Sequence, residues 1–454
     1  MKKDEIDIIN GPIWLNLIRF TIPICMMSVL QILFVACDDM AILGMFAGSK
    51  SLAAVGATNY VINLFINTFS GLAVGINVVV ATYIGESSKE KTEQAVHTAV
   101  TSAIMFGLIL LVTGYVCSYP ILRLMHTPED ILQRSTLYLR IFFFGTPATL
   151  LINFGSAVLR ANGNSKHPFY FLCISGCLDI LLNLLFVAVF HLDVAGVALG
   201  TLISQYFNAT LILYRLLHEK SFCHLRFSKL KIWKEPFLSI LRIGIPAGLN
   251  NFVFSFSNMQ IQSAINTFGS SAVAGCSAAT TVESFVYAAT NSVMQGAITF
   301  TSQNNGAKNY NNIRCTLKYC LLYASLIGTV LGGIAFLSGK RILSFFIDPA
   351  DIPYAIIRNR IILLPYMFCG IMETLSGVLR GLGKTLIPTL VTVFFACFFR
   401  ILWVYTVFPV YRSLAVLFLS FPLSWIMTAA AHLVYYLLVR SRINQDISDP
   451  VKKL

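Results

Sequence analysis

Twelve long apolar stretches, separated by short polar connections, dominate the sequence. About 20 apolar residues in a helix are enough to cross the hydrocarbon core of a bilayer, and lipid-facing backbone must satisfy its hydrogen bonds internally. The short alternating segments of a membrane barrel are absent. The sequence therefore predicts an all-α integral membrane protein, multi-pass in the cell (inner or plasma) membrane, with twelve transmembrane helices. The predicted spans are 15–46, 51–83, 95–120, 132–159, 168–190, 195–217, 237–267, 271–303, 314–338, 353–379, 386–409 and 413–439.

The charge content supports this reading. Charged residues make up 12% of the 454 residues and hydrophobic residues 56%, against about 25% and 45–50% in soluble domains. A cytosolic enzyme, a nucleic-acid binder and a secreted disulfide protein are therefore excluded. The 11 cysteines are scattered through apolar stretches, where a free thiol behaves as a small hydrophobe, so no metal site is expected.

The net charge of +13 is interpreted as a topology signal. With both termini inside, 23 of the 33 Lys and Arg residues fall on the inner side and nine on the outer side, among them Arg358, while Arg400 lies within a span. Lys and Arg concentrate in cytoplasmic loops, so both termini are predicted to be cytoplasmic.

An internal repeat divides the spans six and six. LIRFTIP (17–23) resembles ILRIGIP (240–246), SLAAVGA (51–57) resembles SSAVAGC (270–276), and VLRANGNSKHP (158–168) resembles VLRGLGKTLIP (378–388), the last at an offset of 220 positions. Because six is even, both halves begin on the same face, which predicts two parallel six-helix bundles related by a pseudo-two-fold axis along the membrane normal. The predicted organisation is an N-terminal bundle (1–217), a solvated cytoplasmic linker (218–236), a C-terminal bundle (237–440) and a cytoplasmic tail (441–454). Duplicated bundles are typical of transporters that bind their substrates near the bilayer midplane.

Ionisable residues within the spans are the candidate functional residues, because a charge at the bilayer centre costs about 2.5–3.5 kcal/mol. Either Asp38 or Asp39 must face the protein interior, and Asp179 and Asn183 share one helix face. Each carboxylate could bind a cation or only hydrogen-bond a neighbouring helix, and Arg400 could neutralise one of the glutamates. His97 and His432 are interpreted as interfacial. The ionisable candidates are Asp38, Asp39, Asp179, Glu283, Glu373 and Arg400.

Motifs for other chemistry are missing. The sequence contains no phosphate-binding GxxxxGK[ST] loop, no HExxH and no GxSxG. The chain is therefore expected to be a transporter without a cofactor, not an enzyme, and to draw its energy from an ion gradient.

Several segments together resemble the multidrug and toxic compound extrusion (MATE) family, nearer its DinF/MepA-like branch. They are GPIWLNLIRFTIP, the SLAAVG that follows span 1, TFTSQNNGAKN (299–309) and the paired VLR segments, and the resemblance covers about residues 10–440. It implies an antiporter, monomeric in the lipid bilayer and without nucleic-acid partners, that exports cationic or amphipathic organic compounds in exchange for H⁺ or Na⁺ by alternating access.

The resemblance also assigns roles to individual residues. Pro23 corresponds to the family's bending proline, and Asp38, seven residues after Gln31, to its key aspartate. The implied cation-coupling residues are Asp38, Asp179, Asn183, Asn153, Thr201 and Tyr138, with Na⁺ at Asp38 and Asp179 as one option. The implied substrate and second-half residues are Glu373, Glu283, Gln31 and Asp39.

Two departures from the family pattern concern these sites. Asp179 precedes Asn183 where the branch has the reverse order, and Ser156 stands where Asn is common. Two other readings remain open at this point. A flippase for lipid-linked saccharides or lipid precursors would need cationic residues in its cleft, and an intramembrane enzyme would need clustered acidic and His residues in an interfacial loop.

Overall fold

The computed structural model of the chain describes residues 5–344 and 347–448, and the side chains of residues 36–41, 49, 60, 67 and 443–448 lie outside that description. Helices form nearly all of the described part, which contains no strand. The predicted all-α fold is confirmed.

The first six spans are formed by seven helices and two π-helical segments. They are α1 (Ile13–Ala36), a π-helix at Cys37–Ala47, α2 (Ser49–Gly85), α3 (Lys89–Leu124), α4 (Glu129–Phe144), α5 (Thr146–Ala161), α6 (Lys166–Leu184), a π-helix at Leu185–Val189 and α7 (Asp193–Leu217).

The second half repeats this order after a short 3₁₀ turn at Phe227–Lys229. Its elements are α8 (Lys234–Asn266), α9 (Ser270–Gly306), α10 (Tyr310–Leu343), α11 (Ile352–Leu363), α12 (Tyr366–Gly381), α13 (Leu386–Thr392), a π-helix at Val393–Phe398, α14 (Phe399–Thr406), α15 (Phe408–Tyr411) and α16 (Leu414–Ser448).

Corresponding spans in the two halves are bent at corresponding places. The axes of α4 and α5 meet at 46°, and those of α11 and α12 at 47°. Pro147 and Pro365 lie at these breaks, where a missing N–H and a fixed φ interrupt the helix. Within the described residues, nine segments are long and apolar enough to cross a membrane, and the two bent pairs bring this number to eleven. The 37-residue helix α9, which is more polar, provides the twelfth membrane-length segment.

The chain folds into two compact units. The first comprises Met1–Gly248 and Ser302–Asn309, and the second Leu249–Thr301 and Tyr310–Leu454. The first turns of α8 and the last turn of α9 therefore belong to the unit formed mainly by the first six spans.

Two pairs of glycines explain how the start of α8 packs within the first unit. A Cβ on Gly71 of α2 would overlap the backbone of Gly248, and a Cβ on Gly75 would overlap the backbone of Ile240 and Gly244. Each pair has the four-residue spacing of small residues that lets two membrane helices approach closely. The first part of α8 is thus anchored on α2.

Residues 218–233, the larger part of the predicted solvated linker (218–236), pack within the first unit. Leu225 is fully buried and its N–H donates to the carbonyl of Leu216 (3.0 Å). The Arg226 N–H donates to Nε2 of His97 (3.0 Å), and the Trp233 N–H to Oγ1 of Thr98 (3.1 Å). We call this segment the docked linker.

The contacts of the docked linker bear on the tautomer of His97 and on the pKa of Cys223. His97, expected at the membrane interface, is fully buried. Its Nδ1 lies 2.6 Å from the carbonyl oxygen of Glu93 and must donate to it, because that oxygen only accepts. The ring therefore carries its proton on Nδ1 and accepts the Arg226 N–H on Nε2. Burial of Cys223 in the docked linker raises the pKa of its thiol.

The end of α9 is fixed to the same unit. Nε2 of Gln303 donates to the carbonyl of Ala161 (2.6 Å), and Nδ2 of Asn304 donates to the carbonyl of Ile8 (3.4 Å). The segment TFTSQNNGAKN therefore has a structural role in its last turns.

Candidate cation and substrate sites

The strongest candidate in the first half is a polar cluster between α6 and α7. Oγ of Ser204 lies 3.0 Å from Oδ1 of Asp179 and 2.9 Å from the carbonyl of Thr201, so its single proton can be donated to either oxygen. Nδ2 of Asn183 lies 3.4 Å from the same carboxylate oxygen, and Asn183 is fully buried. The structure therefore brings together three of the predicted residues, Asp179, Asn183 and Thr201.

The side chains of Asp38 and Asp39 lie outside the described residues, but the backbone of α1 indicates their level in the fold. The ring of Phe34 packs where a Cβ on Gly176 of α6 would stand. Because α1 and α6 belong to the first and fifth spans, they cross in the same direction. One turn onward from this contact lie Asp38 on one helix and Asp179 on the other, so both carboxylate-bearing positions share one level.

π-Helical turns flank these positions. Asp38 lies in the π-helix Cys37–Ala47, and a second π-helix, Leu185–Val189, begins two residues after Asn183. A π-turn adds a residue to a helix and leaves backbone groups less regularly paired, and such turns are frequent at functional sites.

The other first-half candidates lie on separate helices. Tyr138 is buried on α4, Asn153 is half-buried on α5, and Pro23 is buried within α1. Gln31 is exposed on α1, which suits contact with a substrate better than a structural role.

In the second half, Glu283 already has a counterion. Nη2 of Arg358 lies 2.8 Å from Oε2 of Glu283, and the two side chains are 8% and 16% exposed. The Arg358 guanidinium carbon also lies 5.3 Å from the ring centre of Phe418 and 6.0 Å from that of Phe421. The partner of Glu283 is therefore Arg358, which the sequence analysis counted among the outer charges.

Arg400 is packed among aromatic rings. Its Nε donates to Oγ of Ser424 (2.9 Å), and its guanidinium carbon lies 4.2 Å from the ring centre of Phe421. The rings of Phe254 and Trp425 lie at 5.8 and 6.0 Å. Arg400 is 2% exposed, and its Nη2 has no hydrogen-bond partner among the described residues. Cation–π contacts thus replace a carboxylate around this charge.

Glu373 is half-buried on α12, seven residues before the buried Arg380. Tyr287 on α9 is exposed, and its hydroxyl oxygen accepts a hydrogen bond from Nδ2 of Asn291 (3.3 Å). His432, also expected at an interface, is fully buried and lies 3.2 Å from the carbonyl of Pro388.

Sequence reasoning missed Ser204 and Arg358. Ser204 was not predicted as a site residue, because a serine in a span usually serves helix packing. Arg358 had one usable signal, since the repeat offset of 220 aligns it with Tyr138, a candidate cation-site residue.

Among the described residues, no three His, Cys, Asp or Glu side chains converge as metal ligands. The α6–α7 cluster instead offers carboxylate, amide and hydroxyl oxygens, a donor set that suits a proton or a hard cation such as Na⁺.

These features define a class: a multi-pass membrane protein of two repeated halves with half-buried carboxylates in its spans. The MatE family profile matches residues 23–185 and 246–406, one match in each half. The chain belongs to the MatE family of membrane transporters.

Similar proteins and structures agree with this assignment. "Probable multidrug resistance protein YoeA" of Bacillus subtilis is 29% identical over 394 residues, which covers 84% of each chain. "Multidrug export protein MepA" of Staphylococcus aureus (strain bovine RF122 / ET3-1) is 21% identical over 451 residues, 98% of each chain. Among solved structures, an outward-facing multidrug resistance MATE family transporter of the MOP superfamily superposes with a TM-score of 0.91 at 19% identity, covering 98% of this chain and 100% of that one.

Proposed function

We propose that the chain is a secondary active multidrug exporter that exchanges H⁺ or Na⁺ for cationic or amphipathic organic compounds by alternating access. The names of the relatives supply the substrate class, since YoeA and MepA are described as multidrug resistance and multidrug export proteins. The gradient as energy source is inferred from the absence of a nucleotide-binding motif in the sequence.

The observation that carries the proposal is the half-buried carboxylate of Asp179 inside a membrane span. A carboxylate inside a membrane span is energetically unfavourable, and the ionisable residues that do occur there mark ion or substrate sites. Ser204 and Asn183 hold its Oδ1 with two hydrogen-bond contacts, at 3.0 and 3.4 Å. The proposal adds Asp38 to this site, because its backbone position lies at the level argued above, in the π-helix that follows α1.

Coupling then follows from competition for negative charge. With the ion bound, the charge of the Asp38–Asp179 pair is compensated and an organic cation is released. Without the ion, the same charge attracts the next cation. Movement of α1 at Pro23 and in the π-helix would link ion occupancy to the side on which the site opens.

Tyr138, Asn153 and Thr201 complete this proposed cation site. Gln31, Asp39 and Glu373 remain the proposed second set, whereas Glu283, also expected there, is already paired with Arg358. Aromatic residues, 13% of the chain, offer flat faces for organic cations. The excess of inner-side Lys and Arg supports cytoplasmic termini and a plasma-membrane location, and a single chain carries every proposed site residue, which supports a monomer.

The test is ethidium transport in proteoliposomes, with a Na⁺ gradient and a pH gradient imposed separately. Asp179→Asn and Asp38→Asn should each abolish gradient-driven transport. Asp193→Asn is a matched control, because that carboxylate lies at the start of α7 in a partly exposed pair with Arg134 (3.4 Å).

Transport driven by one gradient and lost in both site variants would support the proposal and identify the ion. Transport that survives in Asp179→Asn, or its absence from the wild type under both gradients, would contradict it. The flippase alternative requires a cleft cation, and no observation favours it, since Arg400 is 2% exposed.

A further inference from the structure

The repeat can be followed residue by residue through the two bent spans. The breaks at Gly145 and Pro365 are 220 positions apart, the offset of the paired VLR segments. Burial keeps this register, because Ser135 and Ala355 are both fully buried, and Tyr138 and Arg358 are each 7% exposed. Arg358 therefore occupies, in the second half, the place that Tyr138 occupies in the first.

A second correspondence relates α6–α7 to α14–α16. Burial on α7 and α16 keeps the offset of 220, which pairs Ser204 with Ser424. The π-helix Val393–Phe398 adds one residue before α14, which brings Arg400 to the place of Asp179. The hydrogen bonds agree, since Asp179 accepts from Ser204 (3.0 Å) and Arg400 donates to Ser424 (2.9 Å).

The second half thus carries two fixed guanidinium cations where the first half has its proposed exchangeable cation site. Arg358 and Arg400 share the ring of Phe421, at 6.0 and 4.2 Å from its centre. The surroundings of Arg358, one carboxylate and two aromatic faces, have the chemistry that recognises a flat organic cation.

We propose that Arg358 is a tethered cation that fills the second-half site at Glu283 and excludes organic cations from it. Glu283 is then neutralised from within the chain, and exchange of cations is confined to the first half. The inference deepens the proposed function, on which it rests, by naming a residue that sets where substrate binds.

Ethidium binding to purified protein in nanodiscs, followed by fluorescence, tests this inference. Arg358→Met removes the tethered charge but keeps a long side chain, so Glu283 becomes accessible to ethidium. We expect affinity to rise by about tenfold or more, the size of one close charge pair. Glu283→Gln alone should change affinity less than about twofold, because Glu283 is already occupied in the wild type.

Control variants distinguish the exclusion of ethidium from Glu283 by Arg358 from a general disturbance of the fold. Arg360→Met, an exposed arginine on the same helix, should bind as the wild type does. Arg358→Lys retains the charge and should also keep wild-type affinity. In the double variant Glu283→Gln/Arg358→Met the gain should vanish, because the carboxylate that attracts ethidium is gone.

Leaving Glu283 without its counterion destabilises the folded protein. If Arg358→Met does not fold, Arg358→Tyr introduces the residue of the first half at the same place and is expected to show the same gain. Unchanged or weaker binding in the folded variant, or a large loss in Glu283→Gln alone, would overturn the inference. Binding by the wild type tests the proposed function separately, since the inference depends only on the difference between wild type and variant.

Discussion

The docked linker can be tested through the thiol of Cys223. Cys223 is fully buried and Leu225, two residues later, is 1% exposed, both in the core formed by α2, α3, α5 and α7. Replacing Leu225 by Ala removes buried side-chain atoms and leaves a cavity, which costs about 2.7–5 kcal/mol for a leucine. The cost falls on the linker, because the segment can open locally while the spans stay folded.

The expected rate change follows from this free energy. The thiolate is the reactive form, and burial raises the pKa of Cys223, so alkylation requires the linker to open. A loss of 2.7 kcal/mol in opening free energy raises the open population, and with it the rate, by about a hundredfold.

The assay is maleimide labelling of the intact protein in nanodiscs, with each cysteine followed by peptide mass spectrometry. In the wild type, Cys223 should react far more slowly than Cys315, which is exposed at the start of α10. Leu225→Ala should accelerate only Cys223. Phe227→Ala is the matched control, because that side chain is 60% exposed in the same segment.

Two results would refute the docking. One is labelling of wild-type Cys223 as fast as that of Cys315. The other is a Leu225→Ala variant, folded by its thermal midpoint, in which Cys223 remains as slow as in the wild type.

Two further predictions concern packing in the first unit. Gly71→Ala should lower the thermal unfolding midpoint, because its Cβ would meet the backbone of Gly248, an overpacking that costs about 1–3 kcal/mol. Gly56→Ala on the same helix has open space and should preserve or raise that midpoint, since alanine is the better helix former; equal losses in both variants would contradict the close contact. His97→Leu leaves the Arg226 N–H without its acceptor, at a cost of about 1–3 kcal/mol, and should speed hydrogen exchange in residues 218–233; unchanged exchange would show that the bond does not hold the linker.

The helical fold follows directly from the sequence, because twelve apolar stretches leave lipid-facing backbone no other spanning structure here. The predicted span 271–303 is likewise helical, within α9. Asp179 and Asn183 could be grouped from their four-residue spacing alone. Helix formation and the grouping of residues on one helix face are properties of a single helix, so the spacing of residues in the sequence is enough to predict them.

Contacts between distant segments could not be read in this way. The charges of 218–236 suggested a solvated linker, whereas the burial of Cys223 and Leu225 decides its position. Arg358 was counted as an outer charge because it lies near the start of the predicted span 353–379. Only its ion pair with Glu283 shows that its side chain contacts another helix. In each case the partner lies on another helix.

The composition of the first unit also sets the order in which the chain can mature. The first six spans are complete at Leu217. Two segments that pack against them are synthesised later: the start of α8 with Gly248, which contacts α2, and the end of α9 with Gln303, which contacts α5. A ribosome therefore delivers the first two helices of the second half, α8 and α9, before the first unit can close. Truncated chains that end between the two halves should be recognised as unfinished and degraded, although every span that they contain is intact.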